Sequence, residues 1–123
     1  MKILIIEDER PILKVLSKKL TNAGYEIISS SNGKEGLEVA LKEHPDLILL
    51  DIILPGMDGM SLLTKLREDH WGSSVPVIIL TNLGDGDRIV ESKKKGVYDY
   101  LIKTDWSLTD VVSKVNEVFK NKL

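Results

Sequence analysis

Two hydrophobic rhythms alternate along this chain. Short continuous apolar runs, KILII, DLILL, VPVIIL and the weaker DYLI, read as strands buried on both faces, the pattern of a parallel sheet. Between them, apolar residues recur at helical spacing. Pro11 suits a first helical turn, and Ile12, Leu13, Leu16, Leu20 and Ala23 form a stripe that Gly24 ends, which predicts a helix over about 10–23. Residues 26–30 read as a short strand. Asn32 and Glu35 then stand in a capping arrangement, with Leu37, Ala40 and Leu41 on the buried face of a second helix. That helix stops near His44, because Pro45 disfavours helical geometry in the residue before it. A strand over 47–50 leads into an unusually apolar loop, Ile52 to Met57, before Asp58 caps a helix carrying Leu62, Leu63 and Leu66.

A strand over 77–80 follows, and Gly84-Asp85-Gly86-Asp87 opens a fourth helix, which ends at Lys95 and Gly96. Its one strong apolar pair is Ile89 and Val90. Two glycines and a thin stripe make it the least stable helix and the element expected to move. The last strand covers 99–102. Ser107 and Asp110 form a second capping box, with Trp106 expected to staple onto Val111 at the start of a helix reaching about Lys120.

Five strands alternating with five helices predict a flavodoxin-like three-layer α/β sandwich, (βα)5, around a parallel five-stranded sheet with right-handed crossovers. At this size the usual strand order is 2-1-3-4-5, which opens a cleft between strands one and three at their carboxyl ends. The apolar runs end there in reactive side chains: Glu7 and Asp8, Asp51, Thr81 and Lys103. These groups are expected to meet.

Composition narrows the chemistry. At 123 residues the chain is read as one domain, residues 1–123, with no room for a second catalytic or DNA-binding unit. Seventeen basic and nineteen acidic residues leave a net charge of −2 without a block of one sign, so direct nucleic-acid binding is not expected. The chain has no cysteine, which removes disulfides and thiolate chemistry and fits a reducing compartment. The opening MKILIIEDE meets acid too early for a signal peptide or membrane span. A cytoplasmic protein is expected.

Three clustered carboxylates repel, and a divalent cation or an ammonium relieves them. An all-oxygen donor set favours Mg²⁺, which commonly shares its remaining positions with phosphate. Lys103 supplies a point charge and Thr81 a hydroxyl, as phosphoryl oxygens in transfer require, and Asp51 on the central strand is the natural nucleophile. Taken singly, each residue has a plainer reading. Asp8 can cap a helix, Thr81 can bond locally and Lys103 can be solvated. Their joint placement on four strands is what argues for chemistry. His44 and His70 lie near helix ends far from the strand tips and read as surface groups, as does the Lys93-Lys94-Lys95 run.

With KILIIEDE, DLILLDIILPGMDG, VPVIILTN and GVYDYLIK in view, the chain resembles the receiver domain of bacterial two-component response regulators over essentially its whole length. The strand order is also that family's. The resemblance implies that Asp51 accepts a phosphoryl group from a phosphohistidine while Asp8, Asp51 and the backbone carbonyl of Ile53 hold Mg²⁺, with Glu7 acting through water. It implies that Thr81 and Lys103 grip the phosphoryl oxygens and that Tyr100 turns inward once Thr81 moves. The implied donor is a histidine kinase or histidine phosphotransfer protein. The output surface is helix four, strand five and helix five, toward a protein target, as a monomer or a phosphorylation-dependent dimer. Beyond autophosphatase activity, no enzyme is implied.

Two residues depart from the family pattern. Thr104 stands where proline usually follows the lysine, so a trans Lys103–Thr104 peptide is expected, a non-proline cis bond costing about 3 kcal/mol. Asn82 replaces a small residue after Thr81.

Three other readings fit less well. A haloacid-dehalogenase-like phosphohydrolase places its nucleophile on strand one as D-x-D, where this chain has Glu7-Asp8-Glu9. An FMN carrier needs a phosphate cradle in that acidic loop. A degenerate receiver, acting only as a binding module, would not need all five residues intact.

Overall fold

The computed structural model describes residues 1–84 and 86–122. Five strands, β1 (Lys2–Ile6), β2 (Glu26–Ser30), β3 (Leu47–Leu50), β4 (Val77–Thr81) and β5 (Asp99–Ile102), alternate with α1 (Arg10–Asn22), α2 (Gly33–Glu43), α3 (Gly59–Glu68), α4 (Gly86–Lys94) and α5 (Leu108–Lys122). All four pairings are parallel, and the order is β2-β1-β3-β4-β5. The predicted architecture is the observed one.

Because successive strand side chains point to opposite faces, the apolar runs divide into two cores. Ile3, Ile5, Leu47, Leu49, Ile78, Leu80 and Leu101 pack beneath α1 and α5 through Leu16, Leu20, Val111, Val115 and Phe119. Leu4, Ile6, Ile48, Leu50, Val77, Ile79 and Tyr100 pack on the other face against Ala40, Leu62, Leu63 and Leu66 of α2 and α3. Burial on both sides is why these strands carry no polar alternation.

The caps fix where the helices start. Asn32 accepts from the Lys34 and Glu35 amides, and Asp58 accepts from the amide and hydroxyl of Ser61. The Asn32 amide itself donates to the Ser30 hydroxyl, so the return half of the expected box falls to Ser30. Ser107 and Asp110 bond reciprocally, as predicted. α2 stops at His44, which takes a left-handed conformation (φ 47°) and stacks on Trp71 at 4.3 Å between centroids.

Three expectations of packing fail. Leu41, expected on the buried face of α2 beside Leu37 and Ala40, is 38% exposed. Trp106 does not staple onto Val111: Leu108 packs against the core cluster that holds Val111, while the Trp106 ring stays exposed beneath the Lys114 ammonium, 5.7 Å away. The ammonium is itself held by Asp99 and Glu117, both at 3.2 Å. Nor does Val90 belong to a buried pair. Adjacent helical positions point about 100° apart, so with Ile89 turned to the sheet Val90 is more than half exposed, and the one fully buried side chain of α4 is Ser92.

Candidate functional site

Strand ends and the first residues after them converge at one rim of the sheet. The Glu7 amide donates to Ser30 at the end of β2, and the Asp51 amide donates to Ile6 at the end of β1, so hydrogen bonds of the sheet edge set both acids in place. The Lys103 amide likewise donates to the Thr81 carbonyl at 2.7 Å. Oxygen atoms of Glu7, Asp8 and Asp51 lie within 4.8 Å of one another. Glu7 and Asp51 are buried and Asp8 is exposed. Asp8 is not a helix cap, since that position is Glu9, whose side chain makes no capping bond. The plainer reading of Asp8 is thereby removed.

Lys103 reaches into this cluster. Its Nζ stands 2.8 Å from Glu7 Oε2 and 2.9 Å from Asp51 Oδ2, with 9% of its side chain exposed. It also lies 3.4 Å from Glu9 Oε2, a half-exposed carboxylate that the sequence reading did not place in the site. The signal for Glu9 was the acidic run Glu7-Asp8-Glu9, in which residues two apart fall on the same side of an extended segment. The Glu9 amide also donates to Glu7 Oε1 at 3.0 Å.

One ammonium facing three carboxylates cannot compensate them all. Burial lifts the Glu7 carboxyl to about 7, outweighing the Lys103 hydrogen bond that pulls it down. For Lys103, burial works against the charge, but bonds to Glu7 and Asp51 win and hold it above the ordinary lysine value. The site carries surplus negative charge with one firmly protonated lysine.

Thr81 is fully buried at the end of β4, and its hydroxyl accepts from the Leu83 amide at 3.5 Å. Asn82 beside it is exposed. Tyr100, on β5, is buried, and its hydroxyl donates to the Leu83 carbonyl. Ile53 is 55% exposed, and its amide donates to Asp51 Oδ1 at 3.1 Å. No peptide among the described residues is cis, so Lys103–Thr104 is trans. His44 and His70 lie outside the site, His44 stacked on Trp71 and the His70 carbonyl accepting from Ser73.

The donor set fits a hard divalent cation: three carboxylates from two adjacent strands, with neither imidazole nor thiolate among them. The carboxylates of Glu7, Asp8 and Asp51 and the ammonium of Lys103 thus share one pocket at the carboxyl rim of a doubly wound parallel sheet. Residues 3–116 match the family described as response regulator receiver domain, and the chain belongs to that family. Its relatives include a probable transcriptional regulator, ycf27, of Pyropia yezoensis, 37% identical over 119 residues that make up 97% of this chain and 47% of that protein. The phosphate regulon transcriptional regulatory protein PhoB of Pseudomonas aeruginosa is 35% identical over 118 residues, 96% of this chain and 51% of that protein. This chain therefore spans about half the length of these curated relatives. Among solved structures, a CheY-like response regulator receiver domain protein from Methanospirillum hungatei superposes with a TM-score of 0.90 at 29% identity, covering 98% of this chain and 94% of that one. Among the described residues, no helix is long and apolar enough to cross a membrane.

Proposed function

We infer that residues 1–123 act as a single phosphorylation-controlled receiver in which Asp51 takes a phosphoryl group from the phosphohistidine of a sensor kinase or phosphotransfer protein. The observation that carries this reading is a buried Asp51 carboxylate held 2.9 Å from the Lys103 ammonium inside a three-carboxylate pocket. A carboxylate oxygen of Asp51 attacks phosphorus, the phosphorus–nitrogen bond breaks, and the histidine leaves with the electron pair and takes up a proton.

Asp8, Asp51 and the Ile53 carbonyl would hold Mg²⁺, with Glu7 acting through water; bound there, the ion neutralises charge developing on the phosphoryl oxygens. Lys103 must then exchange a carboxylate partner for a phosphoryl oxygen, which the excess of acid over base at this rim makes easy. Buried Thr81 would donate its hydroxyl proton to a second oxygen, and turning toward it would pull on the bond the same oxygen accepts from the Leu83 amide. Because Leu83 also receives the Tyr100 hydroxyl, that pull is felt at α4 and β5. α4, β5 and α5 would form the surface that a protein target reads, in a monomer or a dimer formed on phosphorylation.

Incubation with Mg²⁺ and acetyl phosphate, followed by intact mass, tests the reading. The parent should gain one phosphoryl group and Asp51→Asn none. Equal uptake by Asp51→Asn would reject the assignment, and turnover of small phosphate esters would favour a hydrolase.

A further inference from the structure

We propose that the first turn of α2 is a positioning device for the metal-binding loop, with Gly33 and Asn32 fixing where the Ile53 segment stands; this rests on the receiver reading above. Ile53 is more than half exposed, so packing of its own side chain does not place it. The segment is instead pinned on either side. On the near side, the Ile53 amide bonds Asp51 Oδ1, and the Gly59 amide bonds the Ile52 carbonyl at 2.7 Å.

On the far side the pin is α2. The Gly33 amide donates to the Pro55 carbonyl at 3.0 Å. A methyl group added at Gly33 would lie 1.8 Å from the Met57 carbonyl oxygen, a backbone atom that could yield only by moving the loop. Gly56, with φ at +82°, passes so close to Asn32 that a Cβ there would sit 2.6 Å from Asn32 Oδ1. That oxygen is already committed to the Lys34 and Glu35 amides at 2.8 and 3.2 Å, so it offers the loop a fixed wall. The cap of one helix thus serves as a stop for the neighbouring loop. Outer groups that orient metal ligands typically govern affinity by about 10- to 100-fold when altered.

A matched control lies one turn along. A Cβ at Gly36 would meet the Ile6 side chain at 2.8 Å and disturb the core without touching the loop. Mg²⁺ affinity by calorimetry, with amide exchange of the metal-free protein, is measured for the parent, Gly33→Ala and Gly36→Ala. Gly33→Ala should weaken Mg²⁺ binding by at least about tenfold and speed exchange over residues 52–57, while Gly36→Ala stays within about twofold of the parent. Asn32→Ser keeps a capping oxygen but withdraws the wall beneath Gly56, and it carries the same expectation should Gly33→Ala fail to fold. Equal affinities for Gly33→Ala and Gly36→Ala, or unchanged loop exchange in Gly33→Ala, would overturn the positioning role alone. A parent that binds no Mg²⁺ would overturn the receiver reading, and this role with it.

Discussion

Glu7 is the residue at which the site's excess acidity becomes measurable. Folded, its carboxyl holds a proton up to about pH 7, whereas its ordinary value is 4.5. Between those values the folded protein binds more protons than the unfolded chain, so this group's contribution to stability falls as pH rises and is lost above the upper value. At 1.36 kcal/mol per pH unit the change is on the order of 3 kcal/mol across the window. Subtracting urea-unfolding free energies of Glu7→Gln from those of the parent between pH 4.5 and 7 should isolate a negative slope. A flat difference would mean that Glu7 is already ionised throughout. Since a cation competes with that proton, stabilisation by Mg²⁺ should grow with pH over the same interval, read as the shift in melting temperature.

At the scale of elements, the apolar runs were enough to bound β2, β3 and β5 to the residue, and β4 differs only by taking in Thr81. Capping side chains did the same for the starts of α2 and α3. What stayed illegible depends on contacts between segments far apart in the chain. Arg67 reads in sequence as a basic residue in the last turn of α3, where it would merely complement the helix dipole. In the structure it bonds four carbonyls, those of Gly72 and Val75 at 2.8 Å, Lys95 at 2.7 Å and Gly96 at 3.2 Å. It thereby ties the C-terminal end of α4 to α3, and burial among these carbonyls lowers its pKa from the usual arginine value. The clamp of Gly33 on Met57 was hidden for the same reason: the loop's apolar character showed, but not the helix it rests on. Arg67→Ala leaves these carbonyls without their donor and should cost about 2–4 kcal/mol in urea unfolding. Amide exchange should rise first near Lys95 and Gly96, and protection unchanged there would deny Arg67 its anchoring role.

Across the whole molecule, the anchor at Arg67 and the thin packing of α4 suit the proposed switch. The C-terminal end of the helix is tied down by Arg67, while Thr81 and Tyr100 both engage Leu83, three residues ahead of its first turn. On the proposed reading, phosphorylation of Asp51 would move the start of α4 without unfolding it, because only Ser92 of the helix is fully buried. Two states differing by a few kcal/mol would suffice, and a phosphoryl group favouring one of them would shift the population by that difference. Tyr100→Phe tests the connection. It keeps the buried ring and removes the hydroxyl that reaches the Leu83 carbonyl, at a cost of about 1 kcal/mol in stability. Beryllofluoride with Mg²⁺ should still bind the variant, since no atom of Tyr100 belongs to the carboxylate pocket, and exchange at Leu47–Leu50 should slow as in the parent. Over Gly86–Lys94, the change in exchange that beryllofluoride causes in the parent should fall by at least about half in Tyr100→Phe, because Leu83, just ahead of the helix, has lost one of its two bonds to Thr81 and Tyr100. Undiminished response of α4 in that variant would place the coupling in Thr81 alone.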